Sequence, residues 1–305
     1  MKGIEQCFEF YKTEGEKLLR GFESDRDKIA VGVFGNGSEC FGFDDDISLD
    51  HDVTIGFTLL LNRDDEERIG FELGRAYYKA CKEYMENIPH AKYSREKFGV
   101  MVTDDYFERL IGFSEIPTDY RPWLYTPEDA FAEATNGKIF EDNLGRVTKF
   151  REELKSEYPL DVRLKKLAGH LALMAQAGQY NYFRMLKRND PGTAICISEF
   201  VRHAIPVLFL LEERFAPYYK WQLRALKQGK FGYLVGDLYT LLTTPNSQDT
   251  GAIVEKISKI VISELLEKGL SDSASDYLED HAIDVQHHIK NRQIRALHLM
   301  EYGEN

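Results

Sequence analysis

Apolar positions follow two rhythms along this chain. Up to about Asn143, short apolar runs alternate with helical stretches; from Leu144 onward, apolar residues recur every three to four positions over long spans. In the first part, Ile4, Phe8, Tyr11 and Leu18 predict an amphipathic helix over Ile4 to Phe22. Lys28 to Phe34 predicts a buried strand, and Asp50 to Leu61 a second one. In the second strand, Val53, Ile55, Phe57, Leu59 and Leu61 share one face, with Asp50, Asp52 and Thr54 on the other. Asp64 to Asn87 reads as a helix capped by Asp64, with Ile69, Leu73, Tyr77 and Cys81 along one stripe. Lys97 to Thr103 predicts a third strand and Asp104 to Ile111 a short helix. A segment bearing Pro117, Pro122 and Pro127 leads to a last short strand near Asn136 to Asp142. Beyond it come the helical periods Val147 to Tyr158, Val162 to Lys187, Thr193 to Phe215, Tyr218 to Gln228, Gly232 to Leu242, Ala252 to Lys268 and Ser273 to Leu299.

The pattern predicts an α+β protein: a small mixed-sheet domain over residues 1–143, then an all-α helical bundle over 144–305. The composition, with 43 % apolar and 30 % charged residues in 305, is that of a globular chain. A net charge of −12 argues against nucleic-acid binding by bulk electrostatics. No run of eighteen apolar residues predicts a membrane span. Met1 to Leu19 is studded with Glu and Lys rather than carrying an export signal. Cys7, Cys40, Cys81 and Cys196 are scattered, without the paired spacing of a zinc site. The expectation is a cytoplasmic protein with reduced thiols; oligomerisation is left open.

The candidate chemistry lies between the first two strands. Gly35-Asn36-Gly37-Ser38 forms a glycine-serine turn, and Asp50-His51-Asp52 follows after eleven intervening residues. Gly37 would let the backbone approach a phosphate, and Ser38 would offer its hydroxyl and N–H. Asp50 and Asp52, two apart in a strand, would point the same way and hold Mg²⁺ through hard oxygen ligands. The neighbouring triple aspartate, Asp44 to Asp46, reads as a charged loop, and Cys40 as a small residue in the turn region.

Order, spacing and strand context together resemble the nucleotidyltransferase superfamily that includes DNA polymerase β, kanamycin nucleotidyltransferase and the small MNT proteins. Phe34 to Ser38 matches its apolar-Gly-Ser element, and Asp50 to Asp52 its acid-x-acid element. Gly-Asn-Gly-Ser-Glu-Cys-Phe-Gly-Phe-Asp-Asp, with Ala177-Gly178-Gln179-Tyr180-Asn181 and Pro217-Tyr218-Tyr219-Lys220-Trp221, further resembles an uncharacterised bacterial branch with a helical C-terminal domain. The likeness runs from about Ile29 to about Leu226. Two departures stand out. His51 replaces an aliphatic residue, and Met101 occupies the next strand where many members carry a third carboxylate; Asp104 or Asp105 would have to reach back to supply it.

The resemblance implies Mg²⁺-dependent transfer of a nucleoside monophosphate, AMP from ATP being the expected case, to a hydroxyl of a small molecule, a protein or an RNA end. Asp50 and Asp52 would bind the metal, Gly37 and Ser38 the phosphates. Asp104 or Glu199 would deprotonate the acceptor. In the second half, Gln176, Tyr180 and Arg184 recur four apart among polar neighbours, as a pocket wall or a surface stripe. Tyr218 to Trp221 reads as a stacking platform or an aromatic anchor. Tyr180, Arg184 and Lys220 are the expected nucleotide contacts there, Lys220 on the triphosphate. Arg163 and His170, seven apart, resemble the Arg-x6-His element of helical HEPN ribonucleases. The alternative function is a nucleotide-binding regulator without catalysis, or one member of a toxin–antitoxin pair.

Overall fold

The computed structural model describes residues 3–45, 53–86, 91–92 and 97–303. The protein is α+β: a four-stranded mixed sheet and a two-stranded one, with many helices. It divides into two compact units. The first comprises residues 1–118 and 130–157, the second 119–129 and 158–305.

In the first unit the strands are β1 (Ala30–Val33), β2 (Val53–Thr54), β3 (Thr58–Leu61), β4 (Ala91–Lys92), β5 (Gly99–Val102) and β6 (Lys138–Glu141). The main sheet runs β5-β3-β1-β6, while β2 and β4 form a separate parallel pair. β1 is antiparallel to β3 and β6; β5 is parallel to β3. The strand expected over Asp50 to Leu61 is therefore divided, with residues 55–57 lying between β2 and β3. The period-two reading still holds across the break: Ile55, Phe57, Leu59 and Leu61 join Val31 and Val33 in the core.

Against that core pack Phe10 from the helix Gly3–Phe10 and Leu73 and Tyr77 from the helix Phe71–Met85. Burying each such aromatic or leucine contributes about 1.5–3 kcal/mol, more than the few tenths separating most helix propensities. Packing thus outweighs the tighter and wider turns that interrupt the first helix between Tyr11 and Phe22. Asn62, not Asp64, caps the second: its side-chain oxygen accepts the Asp65 N–H at 2.8 Å. The helices Thr103–Ile111 and Arg146–Ser156 meet through Phe107 and Phe150, whose rings lie 4.7 Å apart.

The unit limits differ from a single division at 143/144 for local reasons. Arg151, in the helix Arg146–Ser156, is buried; it donates to the Ala134 carbonyl at 3.0 Å and to the Asn136 carbonyl. That ties residues 146–156 to the sheet. The proline-bearing segment contains the helix Tyr120–Tyr125 and leads into Glu128–Thr135. Its Trp123 packs edge-on against Tyr158, and Lys166 reaches the Thr126 carbonyl and Glu128, which places 119–129 in the second unit.

The second unit is helical. Its centre is Gly192–Leu211, the one helix among the described residues long and apolar enough to cross a membrane by length and composition, with most of that window buried inside the protein. Pro206 lies within it; a proline there costs about 3 kcal/mol, which the burial of Ile197, Phe200, Val207 and Leu208 offsets. The helix expected over Val162 to Lys187 is continuous but widens to π geometry over Ala175–Tyr182. Gly178 packs so close to Phe200 there that a Cβ would overlap the ring. The expected helix Ser273 to Leu299 is two, Leu278–His288 and Arg292–Ala296. Asp161 accepts the Lys290 and Asn291 N–H groups at the break, and Asn291 caps the second helix.

Lys165 is fully buried and donates to Gln286 Oε1 and to the carbonyls of Leu297 and His298. Burial pulls its pKa down to about 8 from 10.5. The unfolded chain therefore binds more protons than the folded one between these values, and stability should rise with pH across that window. Below about pH 8 the penalty is present in full. Denaturant midpoints of wild type and Lys165→Met, compared at about pH 7 and about pH 9.5, check this. The wild type should gain more than the variant; equal slopes would refute the assignment.

Candidate active site at the glycine turn

β1 ends at Val33, and the chain turns through Gly35 and Gly37, both with positive φ (102° and 113°). Side chains rarely tolerate such angles, which explains glycine at both positions. Ser38 then opens a single helical turn, Ser38–Phe41. The turn is pinned from outside. Gly35 N–H donates to Asn136 Oδ1 at 2.9 Å, and Asn136 Nδ2 donates to the Gly35 carbonyl at 2.8 Å. Asn136 is itself held through its carbonyl by Arg151, whose guanidinium lies 4.9 Å from the Phe34 ring centre. Desolvation lowers the Arg151 pKa to about 10, still charged near neutrality. Tyr106 adds a hydrogen bond to the Phe34 carbonyl at 3.2 Å.

A cavity of about 420 Å³ opens beside the turn. Phe34, Gly35, Asn36, Tyr106 and Leu110 line it, together with the charged residues Lys97, Arg109 and Glu133. Lys97 is ion-paired to Glu39. Arg109 leans over the Tyr106 ring at 5.7 Å. Lys97 and Arg109 thus bring two cations to the turn, and Glu39 and Glu133 two carboxylates. Cys40, just beyond, is buried, and burial pushes its thiol up to about 12; it is not an activated nucleophile.

Asp50, His51 and Asp52 lie outside the described residues, as does Asp46. They precede β2; the next strand, β3, is antiparallel to β1, with Thr58 opposite Gly32. The chain thus enters β3 at the end of the sheet where β1 reaches the turn. Asp104 and Asp105 are at the other end. They follow Val102, which pairs with Leu61, while β1 begins beside Leu60. Asp104 lines a separate 180 Å³ cavity with Asp27, Lys28 and Arg146, and Asp105 pairs with Arg63. The structure does not bring Asp104 to the glycine turn. Asp44 accepts the Gly3 N–H at 2.7 Å, consistent with a charged loop that also caps the first helix.

The remaining expected contacts all belong to the second unit. Tyr180 and Arg184 pair with each other, Nη1 to hydroxyl at 2.5 Å, with Tyr180 partly exposed. Gln179, next to them, is structural: it accepts the Leu278 N–H and donates to the Asp276 carbonyl. Lys220 lies over the Trp221 ring at 5.0 Å, and the Tyr218 and Tyr219 rings meet tilted, 4.3 Å between centres. Glu199 faces His203 and Arg202. His170 is buried against His203, their Nδ1 atoms 3.0 Å apart, and beside Tyr302, while Arg163 pairs with Glu213. A ribonuclease pair would need these two side chains open to RNA.

A family model described as a domain of unknown function (DUF4037) matches residues 123–222. No curated protein matches the chain. The matched stretch contains Tyr180, Arg184 and Lys220, and it covers Asn136 and Arg151, but it begins after the glycine turn. Asn136, Arg151, Lys97, Arg109 and Glu133 were not singled out by sequence reasoning. Asn136-Gly137 before an apolar strand was the available signal, a turn motif whose long-range partner the spacing does not reveal.

Asn136→Ala should cost the first unit about 2 kcal/mol, because buried Gly35 loses partners for both backbone groups. Urea unfolding checks it, and a loss under about 0.5 kcal/mol would show that water replaces the side chain.

Proposed function

We propose that this chain is a Mg²⁺-dependent nucleotidyltransferase that moves a nucleoside monophosphate, AMP from ATP being the expected case, to a hydroxyl acceptor. The observation that carries the reading is the glycine turn. Gly35 and Gly37 are both at positive φ, and Asn136 clamps Gly35 beside a cavity bearing Lys97 and Arg109. The antiparallel entry of β3 supports it further, since the chain following Asp50 and Asp52 arrives at this end of the sheet.

In this reading Gly37 and Ser38 meet the β- and γ-phosphates, and Lys97 and Arg109 offset their charge. Asp50 and Asp52 hold Mg²⁺, for which a carboxylate pair is the fitting donor chemistry. When bound, the metal neutralises charge on the phosphorus under attack and on the departing pyrophosphate. Glu133, a carboxylate on the cavity wall, takes the acceptor proton in place of Asp104. The acceptor oxygen forms its bond to the α-phosphorus as the bond to the pyrophosphate oxygen breaks. A cytoplasmic setting accompanies the reading.

One observation favours the alternative, a nucleotide-binding regulator or toxin–antitoxin component. Met101 occupies the strand position of the usual third acid, and Asp104 stands at the far end of the sheet. Pyrophosphate release from ATP with Mg²⁺ and mixed small-molecule, protein and RNA acceptors separates the two. Release dependent on an acceptor is the expected result. Nucleotide binding without release under every acceptor would leave the regulator.

A further inference from the structure

Lys97 and Glu39 form an ion pair across the mouth of the glycine turn. They come from segments 58 residues apart, and each side chain is only 16 % exposed. The Lys97 ammonium lies so near Gly37 that a Cβ on that glycine would overlap it. The same lysine lines the 420 Å³ cavity and lies 5.4 Å from the Phe98 ring centre. A mostly enclosed ammonium set directly over glycine backbone needs an anion close by. Glu39 supplies one on a side chain with rotatable bonds, so it can leave without moving the turn. Arg109, on the same wall, approaches the Tyr106 ring and Met101 Sδ, and no carboxylate among the described residues is in ion-pair contact with it.

We propose that Lys97 is the principal polyphosphate-binding cation of this cavity and that Glu39 is its built-in competitor, holding the ammonium until a phosphate oxygen displaces the carboxylate. The proposal rests on the nucleotidyltransferase reading and assigns the triphosphate grip to the unit that carries the turn, whereas the sequence points to Lys220. It also explains why the residue directly after Ser38 is acidic at a site meant for anions. Glu39 keeps the half-buried lysine balanced in the absence of ligand, and polyphosphate binding is weakened by the strength of that pair.

Competition has a signature that a purely structural salt bridge lacks. Removing the competitor should tighten anion binding. Calorimetric titration of the full chain with inorganic tripolyphosphate, and separately with ATP, gives the test. Glu39→Gln should bind tripolyphosphate about fivefold more tightly than wild type, and Lys97→Met roughly tenfold more weakly, in line with the strength of charge-assisted hydrogen bonds. Lys97→Arg should retain most of the affinity. A misfolded variant cannot bind more tightly, so Glu39→Gln keeps the proposal falsifiable if Lys97→Met fails to fold. Wild-type binding that neither substitution changes, or that Glu39→Gln weakens, would overturn the assignment and leave the nucleotidyltransferase reading standing. A wild type that binds neither tripolyphosphate nor ATP would overturn both.

Discussion

Replacing Asp50 or Asp52 by alanine should abolish Mg²⁺-dependent pyrophosphate release, with a loss of about a thousandfold or more. Mg²⁺ retains few protein ligands and relies on substrate phosphates for the rest, so each carboxylate carries a large share of the holding charge. Asp50→Asn, which keeps shape and removes charge, should lose nearly as much. Tripolyphosphate binding without metal should persist in all three variants, because the cations that face the turn are untouched. Release within roughly tenfold of wild type in Asp50→Ala would remove the metal role from these residues. Unchanged unfolding curves would show that the effect is chemical.

Truncating Glu128 to alanine should cost the second unit about 3–5 kcal/mol. Glu128 is 6 % exposed and Lys166 fully buried; their charged atoms are 2.9 Å apart. Tyr158 donates to the same Glu128 oxygen at 2.7 Å, and the Thr126 carbonyl accepts from Lys166 at 3.0 Å. The alanine removes the carboxylate balancing an ammonium shielded from water, so the desolvation cost of Lys166 is no longer compensated. The double variant Glu128→Leu with Lys166→Met should recover much of the loss, since a buried pair gains little over apolar groups of similar volume. A double variant as unstable as the sum of its parts would contradict this account. Guanidinium unfolding of the three proteins decides it.

Local periodicity made the elements legible. The alternation in Ile55, Phe57, Leu59 and Leu61, and the helical spacing of Ile69, Leu73, Tyr77 and Cys81, named residues that are buried in one core. What periodicity cannot supply is partnership over distance. Nothing near Asn136 says that it meets Gly35, and nothing near Asp161 says that it ends a helix at Lys290. Asp104 illustrates the opposite error. Proximity along the chain to β5 suggested a reach back toward the turn, but β5 runs parallel to β3 and delivers its C-terminal end to the far side of the sheet. The glycine turn itself was readable, because positive φ demands glycine wherever it occurs. Lys97 was not, since an isolated lysine before a strand has no pattern until the fold sets it over Gly37.

The interleaving of the two units bears on how the chain is made. Residues 119–129 of the second unit leave the ribosome before residues 130–157 of the first. The strand Lys138–Glu141 and the arginine that steadies Asn136 are thus among the last parts of the first unit to emerge. A nascent chain cannot finish its sheet until an orphaned stretch of its neighbour has already been synthesised. For the same reason, cutting the gene at any one point leaves at least one half without a piece of its own interior.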